Sequence, residues 1–297
     1  MKDIRFALYK VAFHSLLRLP DTFYTVLFAT AFPLYKALHT RRAYGRVVRH
    51  LQNARLDTRP RDIFKGIFWN ALDSYRGLAR FKSVERRIVY ENEHIIKNAI
   101  DECSAKGMPI AAISIHQGPF ELMHRALCRY SEHVHLITDS IGGSAFREAL
   151  KEIRSDPHLT EYHPEETRKL IRDLFITKGI LAMVVDQGRH TKGNTVELFG
   201  QRSTLYLRLP QKVNQMGAGI VAFRIFTAPT KDPLRKAGPI IVRFEKYYPP
   251  KYDGTKYEGK KSEISQGNLV KEIARDVERW ISEYPDQWSW NYHGNFV

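Results

Sequence analysis

The chain reads as an α/β protein: a mixed sheet flanked by helices, preceded by an N-terminal helical membrane anchor. Two observations predict this. From residue 108 onward, short apolar runs alternate with amphipathic stretches of helical period, the pattern of a sheet covered on both faces. Before that, residues 22–35 carry no charge and are bounded by Asp21 and Lys36.

The uncharged stretch TFYTVLFATAFPLY is too short for a simple spanning helix. Fourteen residues reach about 21 Å as a helix, against roughly 30 Å of hydrocarbon. An interfacial or re-entrant anchor over residues 1–40 fits better, with a buried pair of core helices as the alternative. Downstream, Ile63, Ile67, Phe68, Ala71, Leu72 and Tyr75 recur at helical spacing. Residues 108–115, 133–138, 179–186, 219–226 and 239–247 read as strands, and 119–130, 144–154 and 164–176 as helices. Leu269, Ile273, Val277 and Trp280 mark one face of a closing helix. No linker interrupts 41–297, so one catalytic domain is expected there.

Apolar residues at 43% suffice for a core, which excludes global disorder. The net charge of +15 calls for an acidic partner. From Lys36 to Arg87 there are 14 Lys/Arg against 4 Asp/Glu, directly after the apolar stretch. Charge beside an apolar anchor points to a membrane surface, and no nucleic-acid-binding motif accompanies it. Cys103 and Cys128 lack zinc or redox spacing and read as small core residues. His116, His124, His133 and His135 bring no acidic ligand pattern, so no metal is expected. No cofactor is expected either.

The informative stretch is HQGPFE, residues 116–121. His116 falls at the carboxyl end of a predicted strand, where α/β sheets bind ligands. Gly118 permits a sharp turn, and Pro119 suits the first position of a helix. Glu121 then reaches back across the helix start, as in a capping box, towards the imidazole. Such a pair can take a proton from a substrate hydroxyl, the carboxylate holding the ring.

The order of blocks along the chain resembles the bacterial lipid A biosynthesis acyltransferases, the late lauroyl and myristoyl transferases. An apolar anchor ends in the basic HTRRAYGRVVRHLQNAR (39–55). HQGPFE follows, then VVDQG (184–188), VELFGQRST (196–204), GAGIVAFRI (217–225) and Pro285-Asp286-Gln287-Trp288-Ser289-Trp290. The resemblance implies a glycerolipid acyltransferase-like fold and transfer of a fatty acyl chain to a hydroxyl of a lipid A precursor or related glycolipid. It implies acyl-acyl carrier protein, or acyl-CoA, as donor, and the cytoplasmic face of a bacterial inner membrane as location. His116 is then the general base and Glu121 its partner. Asp186 lines the cleft, and an Arg between the blocks takes part: Arg154, with Arg147 and Arg168 as rivals. Gly118 belongs to the substrate-binding turn. Two departures bear on the acceptor: Gly118-Pro119 replaces the family's Gly-Asn, and the basic run that usually follows the Trp motif is missing. A lysophospholipid is therefore an alternative acceptor, and a non-catalytic membrane-surface binding protein an alternative function. Trp288 and Trp290 are expected either at the membrane interface or in the core.

Overall fold

The computed structural model describes residues 11, 15, 17–39, 44–138, 144–187, 192–229, 238–251 and 263–290. An α/β sheet flanked by helices is what it shows. A seven-stranded sheet carries β1 (Ile88–Glu91), β2 (Ile110–Ser114), β3 (Val134–Ile137), β4 (Leu159–Tyr162), β5 (Ile180–Val184), β8 (Gly219–Thr227) and β9 (Ile240–Tyr248) in the order β1-β9-β8-β2-β5-β3-β4. Neighbours are parallel except β8 and β9, so the sheet is mixed. A separate hairpin joins β6 (Asn194–Leu198) to β7 (Gln201–Leu205).

The helices in chain order are α1 (Asp21–His39), α2 (Gly45–Asn53), α3 (Pro60–Ala79), α4 (Phe81–Val84), α5 (Glu93–Ala105), α6 (Met123–Leu127), α7 (Ser144–Arg154), α8 (Thr167–Thr177), α9 (Arg208–Gln215) and α10 (Glu263–Glu283). The central strands are apolar throughout because both their faces are covered. Alternate residues of β2 enter opposite cores. Ala111 and Ile113 share one core with side chains of α8, α9 and α10, while Ile110 and Ala112 share the other with those of α5 and α6. Trp280, Trp288 and Trp290 are fully buried in the first core. The two C-terminal tryptophans therefore pack inside the domain, and the interfacial expectation for them is corrected.

The strand expectations near 110, 134, 180, 219 and 240 correspond to β2, β3, β5, β8 and β9. Strands β1, β4, β6 and β7 were not anticipated. All are four or five residues long, and each carries charged or polar side chains. The expected helix over 119–130 is corrected too. The chain makes a 3-10 turn over Phe120–Leu122 and only then the five-residue α6.

Much of the expected anchor, residues 1–10, 12–14, 16 and 40, lies outside the described residues. Residues 21–39 form α1 as one helix with Pro33 inside it. Among the described residues no helix is long and apolar enough to cross a membrane. Instead α1 lies along α3. Phe28 contacts Phe68 at 5.5 Å between ring centroids, Phe32 and Tyr35 contact Phe64 at 5.8 and 5.3 Å, and Tyr24 is buried. Arg76 of α3 pairs with Asp21 at 2.6 Å, donates to the carbonyls of Leu17 and Leu19, and sits over the Tyr24 ring.

Helix α3 also runs against the 3-10 turn Pro285–Gln287. Asn70 Nδ2 donates to the Gln287 carbonyl at 2.9 Å. A Cβ at Gly66 would lie 1.7 Å from the Asp286 carbonyl oxygen, so only glycine permits this approach. Gly66→Ala is expected to push the turn away and lower unfolding stability by about 1–3 kcal/mol, the usual cost of overpacking, read as a lower urea midpoint at unchanged m-value.

Candidate functional site

The site forms where β2 and β5 end together. They are adjacent parallel strands with Ser114 opposite Val184. Two residues beyond that register come His116 on one chain segment and Asp186 on the other. The Val185 amide donates to the Ser114 carbonyl at 2.8 Å, which carries the alignment one step past the strands. Both side chains thus overhang the same carboxyl edge of the sheet, where such folds bind ligands.

Asp186 is the hub. Its Oδ1 lies 2.8 Å from His116 Nδ1. Its Oδ2 accepts from the His116 backbone N–H at 3.0 Å and from Trp288 Nε1–H at 2.8 Å. The Asp186 side chain is buried to 1% exposure, and that of His116 to 14%. An ionised carboxylate only accepts, so Nδ1 carries the proton and the neutral ring keeps Nε2 as its acceptor. The Phe120 ring packs edge-on against the imidazole at 4.5 Å.

The C-terminal segment holds this turn from the other side. Gln117 and Trp288 form an antiparallel bridge. The Gly118 amide donates to the Gln287 carbonyl at 2.8 Å, and the Ser289 amide to the His116 carbonyl at 3.1 Å. Gln117 Nε2 donates to the Trp280 carbonyl at 2.7 Å. The Gln287 side chain accepts from the Thr227 amide and donates to the Thr227 carbonyl, tying the segment to the end of β8. Gly118 has φ +56°, and a Cβ there would lie 2.6 Å from the Ile225 carbonyl oxygen. Both facts require glycine.

Glu121 does not play the part that its spacing suggests. It meets Arg154 of α7 instead: Arg154 Nε–Oε2 is 2.9 Å, Nη2–Oε1 2.7 Å and Nη2–Oε2 2.6 Å. The carboxylate that holds His116 Nδ1 is that of Asp186. The reason is local geometry. The expected capping arrangement needs a helix beginning at Pro119, but Pro119 has ψ 55°, and the 3-10 turn that follows presents Glu121 to α7. Arg154 has Glu161 as a second acidic neighbour, at 4.0 Å. Burial lowers the Arg154 pKa, but Glu121 and then Glu161 outweigh that and raise it overall, so the guanidinium is held charged. Burial pushes the Glu161 carboxyl up despite Arg154.

Of the two rivals, Arg168 is exposed on α8, and the Arg147 side chain lies outside the described residues. Trp288 as the second donor to Asp186 was missed by sequence reasoning. The only signal was its place in the Pro-Asp-Gln-Trp-Ser-Trp block. His135 and the two cysteines have structural surroundings. His135 is buried between the Tyr162 and Thr177 hydroxyls at 3.2 and 2.8 Å. Cys103 is buried and Cys128 half-buried, both as free thiols. Among the described residues no group of three or more His, Cys, Asp or Glu side chains is arranged to hold a metal ion.

Comparison with protein-family models and with curated protein sequences returns no match.

Two outcomes are expected from this geometry. Neutral His116 should be the Nδ1–H tautomer in long-range ¹H–¹⁵N spectra and should shift towards Nε2–H in Asp186→Ala. A wild-type Nε2–H signal would contradict the contact. The second concerns His124, buried beneath Arg154. Burial, then the charges of Arg154 and Arg125, drop its pKa from 6.5 to about 3. The unfolded chain takes up this proton from about pH 6.5 downward and the folded protein does not until about pH 3. Stability therefore falls as pH falls through that window, by up to about 1.4 kcal/mol per pH unit. Urea titrations at pH 7.5 and 5.5 should show a smaller loss in His124→Asn than in wild type.

Proposed function

We propose that the protein is an O-acyltransferase that moves a fatty acyl chain from a carrier thioester to a hydroxyl of a membrane lipid. The observation that carries this reading is the His116–Asp186 contact, buried at a strand end and braced by Trp288. One hydrogen bond orients the imidazole and two more hold the carboxylate that makes it, an arrangement that suits a general base and that a passive binding surface does not need. The block order of the sequence supports acyl transfer in particular, and the mixed sheet flanked by helices is compatible with a glycerolipid acyltransferase-like fold.

The reaction follows from these groups. The acceptor hydroxyl gives its proton to His116 Nε2 as its oxygen attacks the thioester carbonyl. Asp186 stabilises the imidazolium that results. Arg154, steadied by Glu121, supplies the positive charge facing the oxyanion or an acidic part of the substrate. Collapse expels the thiolate, which takes the proton back from imidazolium, leaving an ester and a thiol. No external redox agent is needed. The preferred donor is acyl-acyl carrier protein, an acidic partner for a chain of net charge +15, with acyl-CoA as the alternative. The preferred acceptor is a lipid A precursor or related glycolipid, ahead of a lysophospholipid, and the expected place of action is the cytoplasmic face of a bacterial inner membrane. Gly118 serves by letting the turn approach β8.

The test is transfer of radiolabelled acyl groups from both donors to a panel of lipid A precursors, other glycolipids and lysophospholipids. Wild type should acylate one acceptor class, and His116→Ala and Asp186→Asn should each lose about 10²–10⁴-fold in kcat. Glu121→Gln should lose less, since it perturbs Arg154 and leaves the imidazole oriented. Harmless Asp186→Asn alongside a crippled Glu121→Gln would restore Glu121 as the partner of His116. No transfer from either donor, with vesicle binding intact in every variant, would favour a non-catalytic binding protein.

A further inference from the structure

Arg154 uses only part of its guanidinium. Nε and Nη2 are both taken by the Glu121 carboxylate. Nη1 makes no hydrogen bond among the described residues, and the acid that faces it is Glu161, 4.0 Å away. That distance keeps the attraction of an ion pair but is too long for a hydrogen bond. Glu161 is equally underused. Its side chain is 15% exposed, and its carboxylate accepts no hydrogen bond among the described residues. Lys151 and His163, both exposed, are its other basic neighbours, and burial still pushes its carboxyl up. A half-buried carboxylate without a donor is uncommon and calls for a partner.

A carboxylate and a guanidinium edge this close normally shut onto each other. Here neither is at liberty to move. The two-pronged grip of Glu121 fixes the guanidinium plane. Glu161 is fixed by the ladder of β4 on β3, where it stands opposite Leu136, and the Thr138 amide on the Tyr162 carbonyl continues that alignment. Leu159 packs in the core that holds Leu122 and Ile153, and Tyr162 in the other, so alternation along the strand puts Glu161 on the side of Leu122 and Ile153. β4 is parallel to β3, β3 to β5 and β5 to β2, so its carboxyl end lies on the same sheet edge as His116 and Asp186.

A group that fills the gap must accept from Nη1–H and donate to the Glu161 carboxylate. A hydroxyl does both at one atom. An oxygen about 2.8 Å from each partner spans the 4.0 Å between them. An ionised phosphate or carboxylate has no proton to donate and would meet two carboxylates against one guanidinium. An ammonium cannot accept. The Glu121 side of Arg154 faces the turn that carries His116, whereas Nη1 faces β4. In the order β2-β5-β3-β4 that strand stands three spacings from β2, roughly 14 Å. A hydroxyl held there is a second one, distinct from the one that His116 deprotonates.

We infer that Arg154 Nη1 and Glu161 form a subsite for an uncharged hydroxyl of the acceptor's head group, separate from the hydroxyl that is acylated. The inference rests on the acyl-transfer reading for the identity of the substrate, and it narrows the role of Arg154 from a general cation to a hydrogen-bond donor. Glu161 becomes a specificity residue. Polyhydroxyl head groups fit, and a head group that presents only phosphate at this point does not.

The test is saturation-transfer NMR on the full chain with octyl β-glucoside below its micelle concentration and inorganic phosphate as competitor. Wild type should saturate the sugar-ring protons, and phosphate should leave that signal unchanged. In Glu161→Ala the Kd read from the ring protons should rise about tenfold, the scale of one hydrogen bond to a charged group. Glu161→Gln keeps an acceptor oxygen and loses the charge, so it should hold the ring nearly as well as wild type and let phosphate compete. Matching circular-dichroism melts would show that both variants fold. In the acyl-transfer assay, Glu161→Ala should raise KM for the acceptor and leave KM for the donor unchanged. Equal ring contact in wild type and Glu161→Ala, no ring contact in wild type, or displacement of the glucoside from wild type by phosphate would each overturn the inference. Loss of ring contact in Glu161→Ala, with no acyl transfer by any form, would keep the subsite and remove the acyl-transfer reading instead.

Discussion

The carboxylate of Asp186 accepts three N–H groups that come from two distant parts of the chain. His116 supplies its backbone amide and ring Nδ1, and Trp288 supplies its indole N–H. A charged acceptor buried this deeply is tolerated only when its lone pairs are satisfied. Satisfying them fixes the β2–β5 register, the turn after β2 and the path of the segment after α10. The pairing of Gln117 with Trp288, the grip of Gln287 on Thr227 and the close approach of α3 at Gly66 all serve to bring that indole within reach. The His116 imidazole thereby gains a fixed orientation from packing contributed by distant parts of the chain.

The second carboxylate of the motif is kept for a different cation. Both Glu121 oxygens face the Arg154 guanidinium, a two-pronged pairing that is stronger and more directional than an imidazole contact. The two acids therefore do not compete for one histidine. One orients the His116 imidazole, and the other pairs with the Arg154 guanidinium. Glu161, 4.0 Å from the same guanidinium, adds a weaker hold.

Much of this was legible in the sequence. Apolar runs mark β2, β5, β8 and β9 because a strand covered on both faces has no polar side to show. His116 and Asp186 were placed at strand ends, and Arg154 was picked out between the motif blocks. What failed was through-space assignment. The five-residue interval to Glu121 reads as a pair only if a regular helix starts at Pro119, and the 3-10 turn there sends the side chain elsewhere. Trp288 lies 102 positions from Asp186, so no local pattern could announce the bond. Strands β1, β4, β6 and β7 went unread because their few residues are set by pairing with neighbours and carry charge. The uncharged stretch from 22 to 35 was correctly read as apolar. That Tyr24, Phe28, Phe32 and Tyr35 are the residues turned onto the protein emerged only from where α3 lies.

That His116 and Asp186 act as one unit is tested most directly by comparing kcat/KM for acyl transfer among wild type, His116→Ala, Asp186→Ala and the double variant. Asp186 acting through His116 predicts that the double variant is no slower than His116→Ala alone, because a carboxylate has nothing left to orient once the imidazole is gone. Losses that multiply would show the two side chains working independently and would contradict the account.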